Sequence, residues 1–337
     1  MTWRSAVSTV GALLATALLV GAAQPQRTLS VREFERPVLA FPTGIAAAPD
    51  GSIWIASTFA DKLVRFHPKT GESKEFPLPM NARPVGLLAD SGGGVWFAAS
   101  GLAFVGRQDP AGGKPKEFAI PAILTAYAAF PAPWALARDP RGGDLWFTVH
   151  SDGIVGRLPH GAEPVHRGFA VREIKLGAAK LRPDGIAVDG RGGIWVAEPG
   201  GDQLARISQA DGAVTPLPLP PGSRPRGVAA GPDGAIWVTL FGSHRLLCLD
   251  PMTLRTRSWP MPSGQGSSPY AVAVAASGAV WVAEFMADTI VRFDPGTEQM
   301  TAIALLTPHS RVRALTIDGE GRVWYVGSAS GRLGVIE

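Results

Sequence analysis

Short apolar runs alternate with turn-forming phrases along the chain from about residue 30 onward. One unit contains an apolar run such as GIAAA, a PDG turn, and further runs such as SIWIAS, KLVRF and the Pro-containing KEFPLP. Runs of this length bounded by Gly, Pro and Asp are typical of β-strands, and no unit has a sustained 3.6-residue period. The pattern predicts an all-β protein whose units each contain four strands, a to d.

One tryptophan marks the second run of every unit, and consecutive copies lie 42 to 50 residues apart. The seven residues are Trp54, Trp96, Trp146, Trp195, Trp237, Trp281 and Trp324. Such a period, with short strands and one aromatic signature per unit, is typical of a β-propeller. We therefore predict a seven-bladed β-propeller with four-stranded blades. The repeated tryptophans are interpreted as core residues, and the recurring strand-c arginines, such as Arg65 and Arg157, are expected to bond between blades.

The two ends of the chain predict how the ring closes. The last segment, GRLGVIE, matches strand c and then stops, whereas REFERP at residues 32–37 matches strand d and precedes the first complete unit. The N-terminal strand is therefore predicted to complete the last blade. Residues 122–133 and 160–173 lengthen two units and are predicted to be loops.

Composition and charge narrow the class of protein. The apolar fraction of 46% is enough for a large core, and 41 glycines and 30 prolines suit frequent turns. The formal charge of +4 comes from scattered residues without a basic run, which argues against nucleic acid as a partner. The single cysteine, Cys248, excludes an internal disulfide.

The first 23 residues have the pattern of a cleaved secretory signal. One arginine is followed by an apolar stretch through Val20 and by the small residues Gly21, Ala22 and Ala23. Residues 24–337 are then a single propeller domain. The protein is expected to be exported to the periplasm or secreted, with no membrane attachment after cleavage.

The position that begins the innermost strand of each unit differs from copy to copy. It is x in the pattern P-x-(G/A)-(I/L/V), and it should line the mouth of the central channel. Its seven occupants are Thr43, Val85, Trp134, Asp184, Arg226, Tyr270 and Arg313. Mixed charge with aromatic rings in a concavity is typical of a ligand site. The alternative is that these residues solvate an open mouth.

A second variable position follows each repeated tryptophan by three residues, and it holds Glu198 in the fourth unit and Glu284 in the sixth. Symmetry about the a–b turn predicts that Asp184 lies beside Glu198 and Tyr270 beside Glu284. Two neighbouring carboxylates repel each other and need compensation. A bridging metal ion, Arg226 from the next blade, or a proton retained by one carboxylate would each supply it.

Catalytic signatures are weak in this sequence. No GxSxG or HExxH motif and no phosphate-binding glycine loop stands in a fitting context. The candidate catalytic residues are Tyr270, Glu284 and His309, the last lying four residues before Arg313. A structural role is the alternative for His309.

The repeat resembles that of the streptogramin B lyases, also called virginiamycin B lyases. The phrases that carry the resemblance are PTGIAAAPDGSIWIASTFADKLVRF, PRGVAAGPDGAIWVTL and PYAVAVAASGAVWVAEFMADTIVRF. The resemblance implies a monomeric, seven-bladed enzyme that opens a cyclic depsipeptide by elimination at its ester bond, with Mg²⁺ in the site. It also implies catalytic histidines at position x of the last two units, where this sequence has Tyr270 and Arg313.

Three functions are compatible with these observations. The first is a family relative that binds a small or peptide-like molecule at the channel mouth without the family's catalytic histidines. The second is an active carbon–oxygen lyase that uses other groups. The third is a propeller that binds another protein on one of its faces.

Overall fold

The computed structural model describes residues 29–35, 37–121, 132–164, 169–177 and 179–337. Within these residues the chain forms seven four-stranded antiparallel sheets arranged as a β-propeller, which confirms the prediction. The predicted signal at residues 1–23 and most of the loop at 122–133 lie outside the described residues. No helix in the described ranges has the length and apolar character needed to cross a membrane.

Each blade begins with strand a at the central channel and continues with strand b. The a strands are β2 (Pro42–Ala47), β6 (Pro84–Ala89), β10 (Pro133–Arg138), β14 (Ile186–Val188), β18 (Pro225–Ala230), β22 (Pro269–Val274) and β26 (Val312–Ile317). The b strands are β3 (Ile53–Ser57), β7 (Val95–Ala99), β11 (Leu145–Val149), β15 (Ile194–Glu198), β19 (Ile236–Leu240), β23 (Val280–Glu284) and β27 (Val323–Gly327).

Strands c and d form the outer half of each blade. The c strands are β4 (Lys62–Phe66), β8 (Phe104–Gln108), β12 (Ile154–Leu158), β16 (Gln203–Ile207), β20 (Arg245–Leu249), β24 (Thr289–Asp294) and β28 (Leu333–Ile336). The d strands are β5 (Ser73–Pro77), β9 (Lys116–Ala119), β13 (Arg172–Lys175), β17 (Val214–Pro218), β21 (Thr256–Pro260) and β25 (Gln299–Ala304), with β1 (Val31–Phe34) in the last blade.

The core lies between neighbouring blades. The b strands are almost entirely buried because each is covered on both faces, which explains their continuous apolar sequence. Trp54, for example, packs with Val95 and Phe97 of the next blade. Six of the repeated tryptophans are buried, as predicted, and Trp96 is half-buried.

Arg65 and Arg157 bond within their own blades in the described part of the chain, so the expected bonds between blades were wrong for them. Arg157 donates from Nε to Asp144 Oδ2 at 2.7 Å, and Arg65 pairs with Asp50, in each case in the a–b turn of the same blade. Their guanidinium carbons lie 5.4 and 5.7 Å from the ring centroids of Trp146 and Trp54. These arginines therefore cover the blade's own tryptophan and brace its turn.

The ring is closed by the N-terminal strand, as the sequence predicted. Strand β1 pairs antiparallel with β28, with Val31 opposite Ile336. The Phe34 ring lies 5.7 Å from the Trp324 ring and 5.0 Å from that of Phe66 in the first blade. Tyr325 also donates to Glu33 Oε1 at 2.7 Å. The last blade is therefore built from both ends of the chain.

The inner strands approach each other closely around the channel. A Cβ atom placed on Gly44 would lie 1.9 Å from Val85 O, and one on Gly185 would lie 2.3 Å from Arg226 O. Gly185 N donates to Arg226 O at 3.0 Å, and Thr148 Oγ1 donates to Asp184 O at 2.8 Å, both between blades. The residue after position x is therefore small because a neighbouring backbone occupies the space of a side chain.

A β-bulge at the start of strand a sets the direction of the residue at position x. In the sixth blade Pro269 is opposite Glu284, but the register has shifted by one residue where Val272 faces Val282. The same shift occurs in five other blades. The residue at x therefore belongs to the bulge and is not paired with the last residue of strand b, contrary to the symmetry that the sequence suggested.

Deletion of residues 30–38 removes the closing strand and should unfold the whole ring. It exposes the edge of β28 together with Trp324 and Phe66, so we expect loss of the cooperative thermal transition. Circular dichroism during heating measures this. A synthetic peptide of residues 29–38 added in trans should restore part of the transition, and a deletion variant with unchanged Tm would contradict the closure.

Candidate functional site

A cavity of about 220 Å³ occupies the channel mouth. The residues at position x line it as predicted, and they are Thr43, Val85, Trp134, Asp184, Arg226, Tyr270 and Arg313. Blades four to seven supply all of the charged groups and the tyrosine. Blades one to three supply a hydroxyl, an isopropyl group and an indole. One half of the mouth is therefore polar and the other half is mostly apolar.

The loops that lead into the inner strands hold these residues with a sharp backbone turn that recurs from blade to blade. Asp61 Oδ1 accepts from Arg83 N at 2.8 Å, and Asp202 Oδ1 accepts from Arg224 N at 2.7 Å. Six residues two positions before x adopt a positive φ between 44° and 56°. They are Phe41, Arg83, Arg182, Arg224, Ser268 and Arg311. The chain therefore turns sharply on entering the channel, and carboxylates from neighbouring loops help to fix the turn.

Asp184 forms a buried ion pair with Arg226 of the next blade. Arg226 Nη1 donates to Asp184 Oδ2, and the aspartate side chain is 5% exposed against 28% for the arginine. Of the three compensations that the sequence left open, the arginine is the one observed. Because the guanidinium remains partly hydrated, loss of the pair costs less than the 3–5 kcal/mol typical of a fully buried pair.

Glu198 does not lie beside Asp184, so the predicted carboxylate pair was wrong. Asp184 N donates to Ala197 O and Ala197 N donates to Gly185 O, so the bulge places Asp184 and Gly185 together opposite Ala197. The buried Glu198 carboxylate instead accepts from Gln203 Nε2 on the neighbouring strand and does not line the cavity. Burial raises the pKa of Glu198, and the hydrogen bond from Gln203 only partly opposes this.

Glu284 also lies outside the cavity. Its Oε2 accepts from Ser263 Oγ at 2.6 Å and its Oε1 from Ser263 N at 3.2 Å, which ties strand β23 to the preceding loop. The predicted neighbour relation with Tyr270 was therefore wrong, because Pro269 takes the place opposite Glu284. Burial raises the pKa of Glu284 although Ser263 stabilises the ionised form.

Tyr270 is the centre of an arginine and aromatic cluster at the mouth. The guanidinium carbons of Arg226 and Arg313 each lie 5.4 Å from its ring centroid. Phe285 lies 5.6 Å from the same ring, and the Arg313 guanidinium is 5.0 Å from Phe285. Arg313 also covers Phe41 at 5.6 Å. Stacking on several rings holds both guanidinium planes in place.

Tyr270 cannot act as a base in this environment at neutral pH. Burial raises its pKa to about 12, and the two arginines only partly oppose this shift. The phenol therefore remains protonated, which leaves it as a hydrogen-bond donor or acceptor.

The histidines on this face do not enter the cavity. His309 is exposed in the loop before strand β26, and its backbone N–H donates to Asp288. His150 packs on Trp134 with ring centroids 5.5 Å apart, and its Nε2 accepts from Arg182 Nε at 3.2 Å. Burial lowers the pKa of His150, which matches a neutral ring whose Nδ1–H donates to Pro183 O at 3.2 Å.

The donor set at the mouth does not fit Mg²⁺. Asp184 is the one carboxylate among the residues that line the cavity, and a guanidinium already occupies its Oδ2. Arg313 adds a second positive charge. In the described ranges, no three His, Cys, Asp or Glu side chains are grouped as metal ligands. Mg²⁺ prefers carboxylate oxygens without competing cations.

Sequence reasoning missed the outer ring of arginines around the mouth. Arg83, Arg182, Arg224 and Arg311 all stand two residues before position x. The repeated dipeptide RP in three of these phrases was a usable signal, but recurrence was interpreted as a sign of scaffold. The contacts of Phe41 and Phe285 at the mouth were also missed, although Phe41 stands two residues before x and Phe285, like Phe241, follows a repeated tryptophan by four residues.

The sequence matches the model of a known protein family. A model described as the virginiamycin B lyase family matches residues 20–166 and 133–337, which is nearly the whole chain. No curated protein matches the sequence.

Several solved structures share the fold. A streptogramin B lyase is 22% identical with a TM-score of 0.81, over 92% of this chain and 97% of that one. Virginiamycin B lyase from Staphylococcus aureus is 21% identical with a TM-score of 0.79, over 91% and 99%. A catalytically inactive histidine-to-alanine variant of virginiamycin B lyase from the same organism, with quinupristin, is 21% identical with a TM-score of 0.80, over 91% and 99%.

The substitution Glu198→Gln should stabilise the protein at pH 8. The raised pKa means that folding disfavours the ionised carboxylate, so the wild type loses stability as the pH rises through that pKa. The amide can still accept from Gln203 without burying a charge, and we expect an increase in Tm of about 2 °C. The gain should vanish near pH 4, where the carboxyl is protonated.

Thermal denaturation between pH 4 and pH 8 measures this difference. Glu72→Gln, at an exposed carboxylate, serves as the control and should leave Tm unchanged at both ends of the range. A lower Tm for Glu198→Gln at pH 8 would show that the charge of Glu198 is needed where it lies.

Proposed function

The chain belongs to the virginiamycin B lyase family, and we propose that this member is an exported, monomeric propeller that binds a small or peptide-like molecule at its channel mouth. The observation that carries the proposal is the convergence of Asp184, Arg226, Tyr270 and Arg313 around one cavity. Fixed charged groups beside aromatic surface in a concavity are the usual components of a ligand site.

The geometry of the mouth supports recognition more than catalysis. The cavity lining contains no histidine, cysteine or lysine among the described residues. Its titratable groups are Asp184, which is paired with Arg226, and Tyr270, whose pKa is raised to about 12 by burial. An elimination needs a base that removes a proton near neutral pH, and these groups do not provide one.

The alternative of a lyase that uses Tyr270, Glu284 and His309 has little support from their placement. Of the three, Tyr270 lines the cavity, whereas Glu284 is tied to Ser263 and His309 lies exposed in its loop. Groups that act in one reaction must reach the same substrate atom or its neighbours. We therefore propose that the elimination chemistry of the family is not retained here.

The proposal of export rests on the leader-like pattern of residues 1–23. A propeller without disulfides is compatible with export because its seven packed interfaces provide a large core. A free ligand outside the cell or in the periplasm would then be the molecule that the mouth encounters.

Purified mature protein incubated with quinupristin and Mg²⁺ should yield no linearised product. The physical reason is that the described residues lining the mouth include no histidine, cysteine or lysine that could serve as the base. Mass spectrometry detects ring opening by elimination through the linear product, and an authentic virginiamycin B lyase from Staphylococcus aureus provides the positive control. Linear product at a rate proportional to protein concentration would contradict the loss of lyase activity.

A screen of lactones, cyclic peptides and small organic acids by thermal shift should identify compounds that raise Tm. The double variant Asp184→Asn with Arg226→Gln keeps a neutral hydrogen-bonding pair at the mouth but should lose the response. The control Arg255→Gln changes an exposed arginine in a c–d turn at the opposite end of the blade and should keep it.

The outcome of this screen separates the remaining function classes. A response lost in the double variant alone supports a ligand site at the mouth. A response that both variants keep would place the ligand elsewhere on the protein. Absence of any response across the screen would favour a propeller that binds another protein.

A further inference from the structure

The channel mouth carries an excess of positive charge. Arg226 and Arg313 both line the cavity, and Asp184 is the one carboxylate that lines it among the described residues. Asp184 is engaged by Arg226. No described carboxylate lies within 4.0 Å of a nitrogen atom of Arg313. One guanidinium at the mouth is therefore uncompensated by an ion pair.

Both arginines also have an unused donor. The Nε atoms of Arg226 and Arg313 are buried and have no hydrogen-bond partner among the described residues. Buried polar groups are nearly always paired, and a persistent exception calls for an explanation such as an absent partner. Aromatic rings cover the faces of the two guanidinium groups, Asp184 engages Arg226 and Tyr270 engages Arg313, so their remaining N–H groups are the ones that can bind a ligand.

The four arginines two residues before position x add to this positive charge. Their backbone conformation is strained for a residue that has a Cβ atom. Arg83, Arg182, Arg224 and Arg311 have φ angles of 46°, 53°, 44° and 56°. Glycine adopts this conformation without penalty, whereas a residue with a Cβ pays about 1–2 kcal/mol. The backbone geometry alone would favour glycine, yet four of the six residues with this positive φ before position x are arginines.

Three other carboxylates on this face accept hydrogen bonds from backbone N–H groups. Asp61 accepts from the backbone of Asn81 and Arg83, Asp202 from Gly222 and Arg224, and Asp288 from His309 and Ser310. Each of these carboxylates therefore fixes a loop. None of them forms an ion pair with a described arginine of the rim or the mouth.

We infer that the ligand of the channel mouth is a small organic molecule with an oxyanion group, a carboxylate or a phosphate, held by the guanidinium groups of Arg226 and Arg313. This inference rests on the proposed ligand site and adds the charge of its ligand. Arginine presents paired donors that match a carboxylate or phosphate oxygen pair. Both arginines line the same cavity of about 220 Å³, which brings them to one binding space.

The dimensions and the opposite wall restrict the body of the anion. The cavity of about 220 Å³ is too small for a polymer, and Val85 and Trp134 face it from the apolar half. A single ring or a short chain that carries one or two oxyanions fits both halves. The outer arginines would raise the local concentration of such an anion before it enters.

Four probes with the same aromatic body test this inference: benzoate, phenyl phosphate, benzamide and benzylamine. Isothermal titration calorimetry of the full mature protein should show at least tenfold tighter binding for one of the two anions than for neutral benzamide. The better anion identifies the carboxylate or the phosphate as the preferred group. Its affinity should also fall when the salt concentration is raised from 0.05 M to 0.5 M, because salt screens the attraction between the anion and the arginines.

Variants of Arg313 locate the binding. Arg313→Gln should weaken the preferred anion at least tenfold and leave benzamide unchanged, whereas Arg313→Lys should retain part of the preference even if the glutamine variant unfolds. The matched control Arg255→Gln, at the opposite end of the blade, should bind the anion as the wild type does.

The outcomes separate this inference from the proposed function. Tighter binding of benzamide or benzylamine than of both anions, lost in the mouth variant Asp184→Asn with Arg226→Gln, would overturn the anionic ligand and leave the ligand site standing. Anion binding unchanged in both Arg313 variants would also overturn it. Binding of none of the four probes at millimolar concentration would contradict both proposals.

Discussion

The close approach of the inner strands around the channel is the constraint on which the rest of the structure depends. Neighbouring strands lie so near to each other that a backbone carbonyl fills the place of a side chain at Gly44 and Gly185. Hydrogen bonds then cross between blades, from Gly185 N to Arg226 O and from Thr148 Oγ1 to Asp184 O. This contact brings the seven side chains at position x, which differ from blade to blade, together around one cavity.

The fold could be predicted from the sequence because all seven blades repeat the same pattern of buried residues and turns. A repeated tryptophan with its flanking turns indicates a residue that is buried between blades. The match of REFERP to strand d predicted that β1 closes the ring. The register of the bulge could not be predicted, since it depends on the neighbouring blade and not on the a–b turn. Position x was therefore placed at the mouth correctly, whereas Glu198 and Glu284 were wrongly placed beside it.

The channel mouth combines an ion pair with a buried tyrosine. Asp184 and Arg226 satisfy each other, and Tyr270 is held protonated by burial. The ion pair and the buried ring fix the geometry and the charge of the mouth. The arginines before position x also recur, although glycine would adopt their positive φ with less strain. In a repeat protein, a recurring residue is therefore not always part of the core.

The pairing of Val31 with Ile336 also has a consequence for the order of events during synthesis. At typical ribosomal rates of 5–20 residues per second, the first strand waits about 15–60 s for its partner to be made. During that time its edge is unprotected against pairing with other chains. Its sequence, VREF, carries Arg32 and Glu33 side by side, and charged residues on a strand edge oppose such pairing. The strand that completes the ring is thus also suited to remaining alone until the last blade exists.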